Sequence, residues 1–244
     1  MTRRKVHVII SEIGAKGGCM IRLQQVSKIY SLGTAEVRAL DGVTLTIGPG
    51  EFVALVGPSG CGKTTLLNLM AGIDQPTSGE VWLEGDRLDR LSDDSLSRLR
   101  RSRVGIVYQF FNLLPTLTAR ENVALPLLLD GLQRGEVEQR VERGLRRVGL
   151  THRAEHWPHE LSGGEQQRVA IARAIVVEPQ VVLADEPTGN LDSVAGGAIL
   201  DLLEELHHDQ GQTIVLATHS REAVRRAGRI VHVRDGKLAG IEGP

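Results

Sequence analysis

Five short apolar runs, each followed by a turn and a helical pattern, constrain the fold of this chain more than any other feature. The runs cover residues 52–56, 104–108, 180–185, 213–218 and 229–233. Near-continuous apolar strands are typical of parallel sheets, because helices cover both faces of such a sheet. The sequence therefore predicts an α/β fold with a mainly parallel core sheet flanked by helices.

Two other regions follow different patterns. IRLQQVSKIY and VRALDGVTLTI alternate polar and apolar residues around the turn-like SLGTAE, which predicts an antiparallel β-subdomain. From about residue 92 to 160 the pattern is helical, with a capping box at Thr118 and Glu121, which predicts an inserted α-helical subdomain. We expect residues 1–20 to be an N-terminal extension and residues 21–244 to form one domain that contains this insertion.

Composition and charge exclude several classes of protein. The 29 lysines and arginines nearly balance the 30 aspartates and glutamates, so no global field gathers nucleic acid, and we expect no nucleic-acid partner. The apolar runs are shorter than the roughly 20 residues that a membrane helix needs. Cys19 and Cys61 lack the spacing of a metal site or a disulfide framework, which suits a reducing cytosol.

The segment GPSGCGKTT matches G-x-x-x-x-G-K-[ST] and lies between a predicted strand and a helical pattern. Its glycines let the backbone N–H groups converge on phosphate oxygens, and the helix N-terminus adds positive potential. Lys63 is predicted to meet the terminal phosphates of ATP, Thr64 to place its hydroxyl on Mg²⁺, and Thr65 to contact a phosphate nearer the nucleoside. The predicted ATP-binding residues of this segment are Gly57, Pro58, Ser59, Gly60, Cys61, Gly62, Lys63, Thr64 and Thr65.

Polar residues directly follow three other predicted strands. Asp185 and Glu186 end the run VVLADEP, and Gln109 and His219 each come just after another apolar run. Because the carboxyl ends of parallel strands meet at one edge of a sheet, we expect these residues to converge with Gly57. Asp185 is predicted to hold the Mg²⁺ shell, and Glu186 to polarise the water that attacks the γ-phosphate.

The segment LSGGEQQR predicts a helix start, in which Ser162 and Glu165 form a capping box before an amphipathic helix. A simple cap does not require Gly163 and Gly164, since each glycine weakens the first turn by about 1 kcal/mol. The two glycines therefore indicate close approach by a ligand.

Taken together, these motifs resemble those of ABC transporter nucleotide-binding domains, which are P-loop ATPases. The resemblance covers about residues 21–240 and includes LSGGEQ, which separates ABC ATPases from other P-loop enzymes. The segments that carry it, in chain order, are GPSGCGKTT, Gln109, LSGGEQQR, VVLADEP, GNLD (residues 189–192) and His219.

The resemblance implies a homodimer in which the P-loop of one subunit and the signature of the other enclose each ATP. Ser162 and Gly164 would touch the γ-phosphate bound by the partner chain, with Gly163 and Glu165 in the same nucleotide-binding segment. Asp192 would bridge the two sites, and Tyr30 would stack on adenine. The implied catalytic residues are Lys63, Gln109, Glu186 and His219, and the implied Mg²⁺ residues are Thr64, Gln109 and Asp185.

Residues 110–129 are rich in leucine, which indicates lobe core together with a surface for a transmembrane permease subunit. Several segments resemble the subgroup that serves lipoprotein-releasing, macrolide-exporting and cell-division permeases. We therefore expect a cytoplasmic ATPase that reaches the inner face of the membrane only through its permease. The alternative is an ATP-dependent regulatory switch of a membrane-bound cell-division or cell-wall complex, without cargo transport.

Overall fold

The computed structural model describes residues 18–33 and 35–243 of the chain. Within these residues the strands are β1 Ile21–Leu32, β2 Ala35–Ile47, β3 Phe52–Val56, β4 Ser78–Leu83, β5 Asp86–Arg87, β6 Val104–Val107, β7 Val181–Asp185, β8 Thr213–Thr218, β9 Arg229–Arg234 and β10 Lys237–Glu242. The α-helices are α1 Lys63–Met70, α2 Asp93–Arg103, α3 Ala119–Leu129, α4 Arg134–Arg147, α5 Gly163–Ile175, α6 Ser193–Gln210 and α7 Arg221–Arg226. Short 3-10 turns occur at Leu88–Arg90, Thr151–Arg153 and Pro158–Glu160.

The larger sheet has the strand order β10-β9-β3-β8-β7-β6. Its pairs β9/β3, β3/β8, β8/β7 and β7/β6 are parallel, and only β10 pairs antiparallel, through a tight turn at Asp235 and Gly236. The five strands predicted from apolar runs are thus confirmed, together with the parallel core. Their carboxyl ends lie at one edge of the sheet, which is where open α/β sheets bind ligands.

The smaller sheet is antiparallel, with the order β2-β1-β4-β5, as the alternating segments predict. The β1 and β2 strands run further into SLGTAE than predicted, because Leu32 still pairs with Ala35. Tyr30 therefore lies inside β1 and not at its end.

Two apolar clusters cover the two faces of the larger sheet. One cluster joins α1 and α2 to the smaller sheet, and contains the alternate β3 residues Val53 and Leu55. The other joins α3, α4, α5 and α6, and contains Phe52 of β3. Helices α1 and α5 consequently pack on opposite faces, since strand side chains alternate in direction.

The range predicted for the helical insertion, 92–160, contains helices α2, α3 and α4 together with β6, an edge strand of the larger sheet. The capping box predicted at Thr118 and Glu121 is present at the start of α3. Residues 1–17 of the predicted extension lie outside the described residues. Met20, by contrast, is 8% exposed and belongs to the core. Among the residues that the structure describes, no helix has the length and apolar character to cross a membrane.

Candidate active site

The P-loop, residues 57–65, joins β3 to α1, and its backbone geometry is suited to binding phosphate. Gly62 has a φ of 108°, and a Cβ on this residue would lie 2.6 Å from the backbone oxygen of Ala39, so only glycine fits. Lys63 is 7% exposed, and its Nζ donates to the carbonyls of Gly57 at 2.9 Å and Pro58 at 3.2 Å. Because an ammonium has three N–H donors, these two bonds leave one donor for a phosphate oxygen.

Asp185 ends β7 and has the environment of a cation ligand. Burial raises the pKa of this carboxyl, while the nearby Thr64 hydroxyl and Lys63 ammonium act in the opposite direction and the Glu186 carboxylate adds to the rise. Its Oδ1 is buried, with no hydrogen-bond partner among the described residues. An orphaned carboxylate oxygen beside a threonine hydroxyl fits the oxygen ligands that Mg²⁺ prefers.

Glu186 and His219 meet across the ends of neighbouring strands. The Nδ1 of His219 lies 2.8 Å from Oε2 of Glu186, and the side chains are 73% and 17% exposed. Glu186 has a φ of 47°, in the left-handed region that non-glycine residues rarely adopt. Its N–H donates to the carbonyl of Ala217 at 2.9 Å, which helps hold that conformation.

Gln109 contacts the loop that follows Glu186. Its Nε2 donates to Oδ1 of Asn190 at 3.1 Å, and Nδ2 of Asn190 donates to the Gln109 carbonyl at 3.0 Å. Two residues further on, Asp192 caps α6, because its Oδ1 accepts from the N–H groups of Val194 and Ala195 at 2.9 and 3.0 Å. The loop after Glu186 thus contacts Gln109 through Asn190 and ends at Asp192, where α6 begins.

Tyr30 is held by contacts that its sequence position does not reveal. Its hydroxyl donates to Oδ2 of Asp74 at 2.7 Å, and the Nζ of Lys28 lies 4.9 Å from its ring centroid. Burial and the bond to Asp74 raise the pKa of Tyr30, whereas the nearby Thr65 hydroxyl lowers it. The tyrosine ring is therefore fixed beside the first turn of α1.

The signature segment begins α5 with the predicted capping box. Glu165 Oε2 accepts from the N–H and the hydroxyl of Ser162, both at 2.8 Å, and Ser162 Oγ accepts from the Glu165 N–H at 3.3 Å. The bond from the Ser162 N–H is the largest cause of the lowered pKa of Glu165. Ser162 itself is exposed to solvent.

Packing within the chain offers a second explanation for the paired glycines, beside contact with a ligand. A Cβ on Gly164 would lie 3.1 Å from that of Ala195, and a Cβ on Gly163 would lie 3.3 Å from Cδ2 of Leu191. Both distances are tighter than most Cβ contacts, so packing of α5 against α6 and its preceding loop favours small residues there. Nucleotide binding by these two glycines stays a prediction.

A family model described as ABC transporter matches residues 40–189, which is more than half of the 244 residues. The chain belongs to the ABC transporter family. As a member of this family it is an ATP-binding and ATP-hydrolysing subunit of a transporter.

Relatives of this ABC transporter ATPase include three proteins at the same identity. An uncharacterised ABC transporter ATP-binding protein of Thermotoga maritima is 47% identical over 223 residues, 91% of this chain and 95% of that protein. The lipoprotein-releasing system ATP-binding protein LolD of Xanthomonas campestris is 47% identical over 227 residues, 91% of this chain and 93% of LolD. The macrolide export ATP-binding/permease protein MacB of Hyphomonas neptunium is 47% identical over 224 residues, 92% of this chain but only 35% of MacB.

Solved structures support the same assignment. A dimeric, post-hydrolysis structure of the ATP-binding cassette MJ0796 with bound ADP and Pi superposes with a TM-score of 0.86 at 42% identity. The match covers 92% of this chain and 98% of that one. The predicted family and ABC ATPase fold are therefore confirmed.

Sequence reasoning missed several residues of this ATPase that contact the site. Asn190 and Asp74 bind predicted site residues, as described above. Arg173 and Gln167 of α5 donate to backbone carbonyls of the loops that carry Gln109 and Glu186. A charged residue inside the apolar run AIARAI was the one available signal for Arg173, because arginine is seldom placed among buried residues without a partner.

Proposed function

We propose that two copies of this chain bind two Mg-ATP head to tail and use hydrolysis to drive a separate membrane permease. In this arrangement each ATP lies between the P-loop of one copy and the Ser162 segment of the other. The dimeric form of the MJ0796 cassette, similar to this chain over nearly its whole length, supports the proposal.

The observation that carries the head-to-tail arrangement is the separation of the two phosphate-binding segments within one chain. Helix α1 begins at the P-loop and packs its buried side chains on one face of the larger sheet. Helix α5 begins after Ser162 and packs on the opposite face. A second copy is therefore needed to bring an exposed Ser162 over a nucleotide held by α1.

Each strand-end residue has a role in this mechanism. Lys63 holds the terminal phosphates, while Thr64 and Asp185 hold Mg²⁺, which when bound neutralises charge on the β- and γ-phosphates. Glu186 orients the attacking water and polarises its O–H, and His219 fixes the Glu186 carboxylate through the 2.8 Å contact. Gln109 is the third residue of the proposed Mg²⁺ site, and it lies on the loop that also exposes Phe110.

The exposed apolar residues of the α3 region support a permease surface. Phe110 is 72% exposed and Leu114 44%, and Leu128 and Leu129 at the end of α3 are 56% and 60% exposed. Leu128 also lines a groove of about 460 Å³ between α3 and α4. The likeness to LolD and MacB favours a permease for lipoprotein release or macrolide export. Such a permease would bring the chain to the cytoplasmic face of the membrane.

Mixing two defective variants tests the shared site. Lys63→Met removes the phosphate lysine, and Ser162→Arg blocks the signature, so a homodimer of either variant has two damaged sites. A mixed dimer has one site with both halves intact. We expect differently tagged variants to co-purify in ATP more strongly than either variant with itself, with ATPase activity above that of either alone.

The mixing experiment has a clear contrary result. If the site were complete within one chain, the mixture would show no ATP-dependent co-purification and only the sum of the separate activities. The parent chain carrying the same two tags serves as the positive control. Its ATP-dependent co-purification establishes that the tags leave the interface intact.

Reconstitution tests the transport role. The chain is inserted into vesicles together with a permease that co-purifies with it, and movement of a lipidated peptide or a macrolide is followed with and without ATP. Movement that requires ATP and stops in the Glu186→Gln variant supports the proposal. ATP-dependent binding without movement of either cargo favours the regulatory switch.

A further inference from the structure

Two side chains of helix α5, the half-buried Arg173 and the buried Gln167, donate to the backbone of the loops that carry Gln109 and Glu186. Arg173 Nη1 donates to the carbonyl of Asn112 at 2.6 Å, and Nη2 donates to the carbonyl of Phe111 at 2.8 Å. Burial lowers the pKa of this guanidinium. Hydrogen bonds from a charged donor are short and strong, and a planar guanidinium fixes two acceptors at once.

The loop that Arg173 holds has an unusual backbone. Phe111 and Asn112 have φ values of 57° and 51°, two consecutive non-glycine residues in the left-handed region. Such conformations persist only where the surroundings impose them. The fork of Arg173 supplies this constraint, because its two bonds end on the carbonyls of these same residues.

A second side chain of α5 joins the two loops to each other. Gln167 is fully buried, and its Nε2 donates to the carbonyl of Pro187 at 2.7 Å and that of Tyr108 at 3.3 Å. Pro187 follows Glu186, and Tyr108 precedes Gln109. One amide group therefore binds the carbonyl of the residue after Glu186 and that of the residue before Gln109.

We propose that Arg173 and Gln167 are positioning residues, which brace the loops of Gln109 and Glu186 against the same helix that begins with the signature. The inference rests on the proposed roles of Gln109 and Glu186. A motion of α5 when Ser162 meets the partner's nucleotide would then displace both loops together. Signature engagement and water positioning are coupled inside one chain by these bonds.

The test replaces Arg173 with lysine, which keeps the charge but loses the planar fork. Arg143→Lys is the matched control, since Arg143 is an exposed arginine on α4. We expect Arg173→Lys to lower kcat by about tenfold to a hundredfold, the range that misplacement of catalytic groups by about 1 Å produces, with KM for ATP within a few-fold. Amide hydrogen exchange should accelerate over residues 110–114 while the middle of α5 keeps its protection.

A purely structural role of Arg173 predicts a different result. In that case Arg173→Lys would lower Tm but leave kcat per folded molecule and exchange at 110–114 at the level of Arg143→Lys, which would overturn the proposal. Gln167→Met, similar in volume but without the amide donor, is the second variant and should also lower kcat with little change in KM. Normal kcat in both variants would contradict the proposal even if one of them is unstable.

The failure of this inference differs from failure of the proposed function. If Glu186→Gln suppresses turnover but both brace variants hydrolyse ATP normally, the proposed function stands and the brace is wrong. If Glu186→Gln itself keeps full turnover, the proposed role of Glu186 is wrong, and faster exchange over 110–114 in Arg173→Lys would still support the structural part of the brace.

Discussion

The two helix N-termini assigned to phosphate binding are built in opposite ways. Helix α1 follows Gly62 and has no side-chain cap. Its first residue is Lys63, whose ammonium donates to a carbonyl of the preceding loop. Helix α5 follows Ser162, whose hydroxyl and N–H are both bound to Glu165 of the same chain. The first leaves donors open for a phosphate, while the second has satisfied its cap internally.

In the proposed dimer, this difference would make the two halves of each site unequal. The uncapped start of α1 provides N–H groups, positive potential and an ammonium, which suffice to attract a polyphosphate. The capped start of α5 is stable before any nucleotide arrives, and a partner's phosphate has only to approach an exposed serine. We therefore expect changes at α1 to abolish binding and changes at α5 to affect mainly dimer closure.

Lys63→Met should produce the largest effect. Removing the ammonium deletes the main charge at the start of α1, so ATP affinity and ATPase activity should both fall by at least about a hundredfold. Binding of a fluorescent ATP analogue and steady-state kinetics measure the two losses. Affinity within a few-fold of the parent would show that the uncapped helix start binds phosphate without its lysine, against the contrast drawn above.

Glu186→Gln should separate binding from turnover. The substitution keeps the size of the side chain but removes its basicity, so kcat should fall by about 10² to 10⁴ while ATP affinity changes little. The variant should accumulate as an ATP-bound dimer, measurable by size-exclusion chromatography with light scattering. Turnover within a few-fold of the parent would remove Glu186 from the mechanism.

Asp185→Asn should change stability and ligand response in opposite directions. Burial raises the pKa of Asp185, so its contribution to stability is present below the unfolded pKa and is lost as pH rises through the folded pKa. The ionised form of this buried carboxylate is therefore unfavourable in the nucleotide-free protein. The amide should raise Tm by a few degrees without ligand and reduce the extra stabilisation by Mg-ATP, both measurable by thermal unfolding.

Two outcomes would contradict this assignment of Asp185. One is a lower Tm for the nucleotide-free Asp185→Asn variant at neutral pH. The other is an undiminished rise in Tm on adding Mg-ATP. Repeating the scans at acidic pH is the control, since protonation of Asp185 should bring the parent closer to the variant.

Ser162→Ala compared with Thr118→Ala should give the smallest effect on stability and the sharpest contrast in function. The capping boxes of α5 and α3 have nearly the same bonds, with the Ser162 and Thr118 N–H groups each 2.8 Å from the glutamate that follows. Each substitution should cost about 1 kcal/mol, or roughly 2–4 °C in Tm. Only Ser162→Ala should also lower ATPase activity, and equal activities would indicate that Ser162 is merely a cap.

Much of the architecture could be predicted because it depends on local patterns. Buried parallel strands need continuous apolar runs, and helix caps need particular residues, so both β3 and the capping box at Thr118 could be predicted. The lengths of β1 and β2 were underestimated by the same reasoning, since nothing in SLGTAE prevents the two strands from pairing further. The packing of Gly164 against Ala195 could not be predicted, because this neighbour in space lies 31 positions away along the chain.

By itself the sequence determined the parallel core, the phosphate loop and the convergence of Asp185, Glu186, Gln109 and His219 at one sheet edge. These features could be predicted from spacing, because a residue that directly follows a parallel strand lies at the carboxyl edge of the sheet. Tertiary structure alone decided which donors hold the loops, such as Arg173 on Phe111 and Asn112, and which face each helix covers. Every residue has a backbone carbonyl, so the sequence does not indicate which carbonyls accept a bond from a side chain. These contacts are therefore seen only in the folded chain.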